Sequence, residues 1–459
     1  MAPLTPILVI LWIPIGVYAF ARYPRPVAVL LVAIAGTLFL PEIQWAPTQL
    51  DAPRPVRLPM LELTKFNSIS YALLIGWLMF DGGRLGHVRW SLADAPALAL
   101  AVVPAVSSAV NGLSANDVFF ELRAAVLGWG VPYLIARVYL GGADGCRTAI
   151  VALALGGIVY IPFCLFEIRM SPVLHYKVFG FQQHSFLQTI RLGGYRPMVF
   201  MQHGLAVGIF MASATVALFW LWWSRLWPTL HLPDWLRNWP GLWLAVLAGT
   251  TLLCKSFGAL ALGIGAAVAL VAGDRFRISL AVWALLAVPP AYVLTRTTGS
   301  VPAQRIVELI GGQVNAERTE SFEYRVINED KFMAAMGNNV LFGMGGGGRA
   351  HPKDHIGRPI IADGLWIIQY FNAGAAGLAA LIGYFLLPVL RFLLLCPGPT
   401  WSHPQVAPAA VAAVISAILM IDCLLNSMLN PFLVMLPAVL NGWCDWAADE
   451  AAATAGSHP

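Results

Sequence analysis

Long apolar runs separated by short polar breaks follow one another from the first residues of the chain. A helix rising about 1.5 Å per residue needs about 20 apolar residues to cross a hydrocarbon core. Runs near that length occupy 4–20, 26–40, 68–80, 95–110, 122–140, 148–166, 198–223, 241–254, 258–273, 278–295, 364–390 and 406–424. A last apolar piece, 428–444, is interrupted by Pro431 and Pro437 and reads as a further span or a broken one. The pattern predicts an all-α polytopic membrane protein with about 12 (12–13) transmembrane helices in a single integral membrane domain, 1–459. Arg22 and Arg25 follow the first run rather than precede it, so that run reads as a retained span, not a signal peptide. The alanine-rich end, 447–459, reads as a flexible tail.

Three longer polar stretches interrupt the pattern: 41–66, 167–197 and 296–363. Basic residues in the short connections (Arg22/Arg25, Arg84/Arg89, Arg147, Arg225/Arg237, Arg275/Arg277, Arg391) fall at one end of successive spans. The positive-inside rule makes that end cytoplasmic and the three long stretches extracytoplasmic. Within the longest, residues 320–336 carry Phe322, Val326, Phe332 and Met333 at near-helical spacing and predict an amphipathic helix.

Composition agrees with lipid as part of the solvent. Hydrophobic residues make up 59% of the chain and charged residues 11%, against about a quarter charged in soluble domains. Several of the tryptophans stand near span ends (Trp222, Trp223, Trp239, Trp243, Trp443, Trp446), as in an interfacial belt. The six cysteines form no C-x-x-C spacing and no disulfide framework. The net charge of +5 is dispersed through loops, which excludes a nucleic-acid tract.

Candidate chemistry concentrates in the long stretches. Arg196 and Lys255 stand at span edges and Arg325 on the predicted loop helix. A guanidinium grips phosphate or carboxylate with two parallel bonds and stays charged at any working pH. The bland reading of each is a snorkelling side chain or a local ion pair. "FGMGGGGRAH" (342–351) contains G-x-G-x-x-G at Gly343, Gly345 and Gly348, but no strand precedes it and no G-K-[ST] follows. It reads as a flexible turn or as a concavity of backbone N–H groups facing an anionic headgroup. His351 and His355 follow it, as solvated loop residues or as bases. Asp363, at the mouth of the next span, reads as a helix N-cap or as the base for an acceptor hydroxyl. Asp422, Asn426 and Asn430 recur every four residues and predict one polar helix face. No D-x-D occurs, and Pro352 opposes a helical His351/His355 pair, so no metal site and no cofactor are expected.

Four pieces between residues 190 and 385 together resemble the O-antigen ligase and polymerase superfamily of bacterial membrane proteins. They are "GGYRPMVFMQHGLAVGIF" (193–210), "LLCKSFGALALGIGA" (252–266), "YRVINEDKFMAAMGNNVLFGMGGGG" (324–348) and "ADGLWIIQYFNAGAAGLAAL" (362–381). The resemblance implies a multi-pass protein of the bacterial inner membrane with an extracytoplasmic active face. It also implies a metal-independent glycosyltransferase whose donor is an undecaprenyl-pyrophosphate-linked glycan, acting in O-antigen or exopolysaccharide assembly beside other polysaccharide assembly proteins. Arg196, Arg325 and Lys255 then hold the pyrophosphate, and Asp363, His351 or His355 is the base. Ala362-Asp363 stands where ligases commonly carry His-Asn, which leans toward polymerisation. Other readings are an O-antigen ligase acting on a lipid or protein acceptor, a transporter or flippase of lipid-linked glycans, and a non-enzymatic assembly partner.

Overall fold

The computed structural model describes residues 4–43, 56–58, 61–300, 305, 316–346 and 350–456. Their helices run in chain order as α1 (Leu4–Arg22), α2 (Arg25–Phe39), α3 (Lys65–Asp81), α4 (Ala95–Val110) and α5 (Ala115–Leu140). After these come α6 (Ala143–Met170), α7 (Gly204–Trp223), α8 (Pro240–Leu253), α9 (Phe257–Phe276), α10 (Leu280–Thr297) and α11 (Ala316–Met336). The chain closes with α12 (Leu365–Leu395), α13 (Ala407–Leu425) and α14 (Leu436–Gly456). Two short antiparallel hairpins, β1 (Val56–Leu58) with β2 (Leu61–Leu63) and β3 (Ile190–Arg191) with β4 (Gly194–Tyr195), are the strands among the described residues.

Nine helices among the described residues are long and apolar enough to cross a membrane, and α2 and α8 are shorter apolar helices. The chain is therefore a helical, multi-pass membrane protein. α7 and α13 have 83% of their apolar windows buried and form the centre; α1 and α10, at 28% and 22%, form the lipid-facing rim. Both kinds are apolar on all sides, because lipid and bundle interior ask for the same residues.

Alternation of the helices gathers the basic connections at one end, where they join each other. Arg25 pairs with Asp81, Arg147 reaches Thr229, and the Asp274 carboxylate accepts from Trp223 Nε1 and Ser402 N. Arg137 is bound there by Asp94 and Asp445, and Arg391 by Asn441 and Asp445. α14 stays helical to Gly456, through much of the stretch read as a tail, and its Asp449 pairs with Arg89. Trp222, Trp223 and Trp239 are exposed as a belt requires, whereas Trp443 is buried and donates to the Gln405 carbonyl. All six cysteines are free and buried.

The loop end contains the departures from the sequence pattern. α12 is broken at Gly374 (φ +65°), and the segment 340–345 docks in the break. Met344 N and Gly345 N donate to the carbonyls of Phe371 and Asn372 at 2.8 and 3.0 Å, while Ala375 N and Ala376 N donate to Val340 and Leu341 at 2.8 and 3.1 Å. A Cβ at Gly374 would lie 2.3 Å from the Leu341 carbonyl group, so the close approach admits only glycine. Gly346 N is bound by Ser108 Oγ at 3.2 Å. The N–H groups of residues 344–346 are thus taken up by protein acceptors, and this half of the glycine run is neither a free turn nor an anion cradle. Gly348 and Arg349 lie outside the described residues.

The polar face expected of Asp422, Asn426 and Asn430 is also divided. α13 ends at Leu425, Asn426 is extended, and Asn430 caps a separate turn by accepting from Phe432 N and Leu433 N. Pro431 cannot continue the helical hydrogen-bond ladder, and the apolar piece 428–444 becomes a short 3₁₀ turn followed by α14.

Candidate functional site

Two buried side chains shape the loop that leads into α7. The Glu167 carboxylate, at the end of α6, accepts from Leu174 N (2.9 Å), Met198 N (2.9 Å) and Val199 N (2.7 Å). It ties the start of the loop to its finish and satisfies three amides that have no helix to serve them. His175 accepts from Glu42 N at Nε2 (3.0 Å) and lies 2.9 Å from the Phe181 carbonyl at Nδ1. Those partners assign the neutral tautomer with the proton on Nδ1. Burial pushes the His175 imidazole down to about 3.

Arg196 leaves the β3–β4 hairpin, buried, with its Nη2 3.2 Å from the Lys255 carbonyl. Lys255 occupies the turn between α8 and α9 at φ +52°. Its ammonium donates to the Arg191 carbonyl at 2.9 Å and reaches Leu192 O at 3.4 Å. Arg196 and Lys255, both sequence candidates, therefore sit together, with the lysine bracing the hairpin that presents the arginine.

His203 caps α7, its Nδ1 accepting from Leu205 N (3.1 Å) and its Nε2 facing Gln188 Oε1 at 3.2 Å. Its ring meets that of His184 edge to face at 4.7 Å. Burial first, then the charges of His184, Arg196, Arg191 and Arg325, hold the His203 imidazole down to about 3. Arg191 and Arg196 come from the β3–β4 hairpin and Arg325 from α11. Neither His203 nor His184 is a sequence candidate; the available signal is a histidine one residue before a span.

Arg325, midway along α11, pairs with Asp363 (Nε to Oδ2, 3.1 Å). Both remain open to solvent, with side-chain exposures of 23% and 39%. Asp363 is not the cap of α12; Gly364 holds that position, and Leu365 N donates instead to the Asn426 carbonyl at 3.1 Å. Asn426 also donates to Asp422 at 2.7 Å, and the charge of Arg325 reaches Asp422. The entry of α12, which carries Asp363, and the end of α13 therefore meet, with Arg325 of α11 paired to that entry.

α11 is held in place by a second, closed cluster. Arg296 of α10 donates to Glu329 at 3.0 Å, Asp330 at 2.6 Å and the Val326 carbonyl at 3.0 Å. Glu329 further accepts from Tyr292 OH and Trp366 Nε1, both at 2.9 Å. Three helices are bolted together there, and Arg325 projects one turn before the bolt.

The remaining sequence candidates lie apart from these groups. His351 packs edge to face on Phe332 (5.2 Å) and Phe371 (5.8 Å), and burial lowers its pKa. His355 is exposed in a turn that the Asp354 carboxylate organises by accepting from Ile356 N and Arg358 N. Neither makes a described contact with Arg325 or Asp363.

Chemically, the arrangement offers guanidinium donors for an anion and two carboxylates as proton acceptors. Among the described residues no three His, Cys, Asp or Glu side chains come together as a metal site requires. No protein-family model matches the chain, and no curated protein matches it by sequence.

Proposed function

We propose that the chain is a metal-independent membrane glycosyltransferase of the polymerase kind, with an undecaprenyl-pyrophosphate-linked glycan as donor and a sugar hydroxyl as acceptor. The observation that carries this reading is the half-open Arg325–Asp363 pair at the entry of α12. A diphosphate entering there competes for the guanidinium and leaves the carboxylate uncovered. Arg325 and Arg196 then stabilise the charge that develops on the leaving pyrophosphate. Asp363 takes the proton from the attacking hydroxyl as the new C1–O bond forms and the C1–O(phosphate) bond breaks, inverting the anomeric carbon. Lys255 supports Arg196 through the hairpin. The same reading places the chain in the bacterial inner membrane with about twelve crossings and the loop end extracytoplasmic.

A transporter reading draws on one observation, the discontinuous α12, since broken helices line many transport sites. The four backbone bonds from segment 340–345 close that break from within the protein and remove the helix ends a transported ion would use.

Glycan analysis of cells carrying Arg325→Ala, with the protein's membrane level checked, tests the reading. Build-up of single lipid-linked repeat units supports polymerisation, and finished polymer stranded on the carrier supports ligation. An unchanged profile overturns the enzyme reading.

A further inference from the structure

A small recess of mixed lining lies at the loop end, behind the segment that carries His203. It encloses about 50 Å³ and opens on one side. Five stretches of chain meet around it, with Thr37, Glu42, Lys65, Gln202 and Asn430 as its polar half and an apolar half that includes Phe66 and Leu429. Lys65 Nζ donates to the Phe200 carbonyl at 2.7 Å and forms a loose ion pair with Glu42 Oε2 at 3.6 Å. Gln202 Nε2 reaches the Leu429 carbonyl only at 3.4 Å. Thr37 is 1% exposed, and its hydroxyl has no hydrogen-bond partner among the described residues. A buried hydroxyl without a partner is uncommon in a folded protein, because nothing replaces the water it has lost.

The chemistry of the walls selects an occupant. A phosphate needs donors only and is repelled by Glu42. A metal ion needs acceptors only and is repelled by Lys65. A carboxylate, an ammonium, amides and a hydroxyl side by side suit groups that donate and accept at once, and sugar hydroxyls do both. Each ordered water needs roughly 10–15 Å³, so the recess has room for a few hydroxyl groups while the ring of a sugar stays at the mouth beside Phe66. Its position fits as well. Gln202 adjoins His203, on which Arg325 acts, and the 426–430 stretch contributes Asn426 to Asp422 and Asn430 to this recess.

We propose that this recess is a sugar subsite that holds the hydroxyl-bearing edge of the acceptor glycan's terminal residue; its assignment as the acceptor side rests on the glycosyltransferase reading. Thr37 and Gln202 hydrogen-bond the sugar, and the Glu42–Lys65 couple closes around one of its hydroxyls.

The test uses full-length protein in lipid nanodiscs and saturation-transfer NMR with methyl glycosides of glucose, galactose, mannose, rhamnose and N-acetylglucosamine. At least one glycoside is expected to bind. Thr37→Val, which keeps the side-chain shape, and Gln202→Leu should each weaken it about tenfold, the effect of one lost hydrogen bond. Melting temperatures confirm that both variants fold. Absence of binding by every glycoside, binding unaffected by both recess variants, or displacement by inorganic pyrophosphate overturns the subsite. The glycosyltransferase reading fails by a different result, an unchanged glycan profile in Arg325→Ala cells.

Discussion

Removing one carboxylate charge from each of two arginine–carboxylate pairs on α11 separates the working pair from the structural one. Asp363 and Arg325 have side chains 39% and 23% exposed, and water screens their attraction. A pair so placed contributes about 0–1 kcal/mol to stability. Asp363→Asn should therefore melt within a few degrees of the parent protein. Glu329 and Arg296 are only 4% and 2% exposed, and Glu329 also accepts from Tyr292 and Trp366. Glu329→Gln leaves the Arg296 charge buried with the partly exposed Asp330 as its remaining carboxylate, a change that costs about 3–5 kcal/mol in comparable pairs. For activity the order reverses. Loss of a general base lowers the rate by about 10²–10⁴. Asp363→Asn protein should therefore be well folded and nearly inactive, whereas Glu329→Gln should lose activity only in proportion to lost folded protein. The assay is a thermal melt in detergent beside transfer from a lipid-linked repeat unit, each normalised to folded protein. An Asp363→Asn protein that transfers at the parental rate refutes the base. One that melts as low as Glu329→Gln refutes the division between the two pairs.

Stability should fall in mild acid because His175 is held neutral in the folded state. Its folded pKa of about 3 lies below the unfolded value of about 6.5, so the unfolded chain binds the extra proton between those limits. The contribution is complete above pH 6.5, and about 2 kcal/mol of it is gone at pH 5 (1.5 units at 1.36 kcal/mol each). A melt at pH 5 and pH 7.5 checks this, and His175→Gln should reduce the difference. Gly374→Ala should cost at least 2 kcal/mol, from its left-handed backbone and the contact with Leu341, and is read as a lower melting temperature. Arg196→Lys and Arg325→Lys keep the charge but lose the two-pronged grip, so each should raise the donor KM or cut kcat while the melting temperature stays near the parent's. Full activity in both variants refutes the pyrophosphate clamp.

Apolar run length made the helices legible, since lipid accepts only segments that satisfy their own backbone. It also explains the errors. The run 364–390 shows no sign of the break at Gly374, because the hydrogen bonds that close it come from residues 340–345 on another loop. The four-residue spacing of Asp422, Asn426 and Asn430 assumes a helix that Pro431 and the capping role of Asn430 stop early. At the candidate site, Arg196, Arg325 and Asp363 stood out as charges at the edges of apolar runs. That Arg325 meets Asp363, 38 residues away, is a tertiary fact that spacing does not encode. Lys255 shows the limit of charge as a signal: its ammonium serves two backbone carbonyls of its own protein. Thr37 shows the converse, because an unremarkable threonine in a span gains interest only once its hydroxyl is seen buried without a partner.

The two ends of the bundle use the same residue types to opposite effect. At the basic end Arg137 is 3% exposed and held by Asp94, Asp445 and a backbone carbonyl, while Asn441 and Tyr133 donate to Asp94 as well. The network joins the start of α4 to α5, α12 and α14 as a clasp. The loop end has its own closed cluster at Arg296, yet one turn away Arg325 is bonded to a half-open carboxylate. An open pair adds little to stability, and Arg25–Asp81 at the basic end is open as well, so what sets Arg325 apart is its rigid base at Arg296. An open pair mounted on a rigid base is the arrangement expected of a group that must exchange partners when an anion arrives. The contrast between Arg137 and Arg325 within one chain is thus an internal control for the proposed site. Double-mutant cycles should find strong coupling in Arg137–Asp94 and weak coupling in Arg325–Asp363, and equal coupling in the two would remove this support.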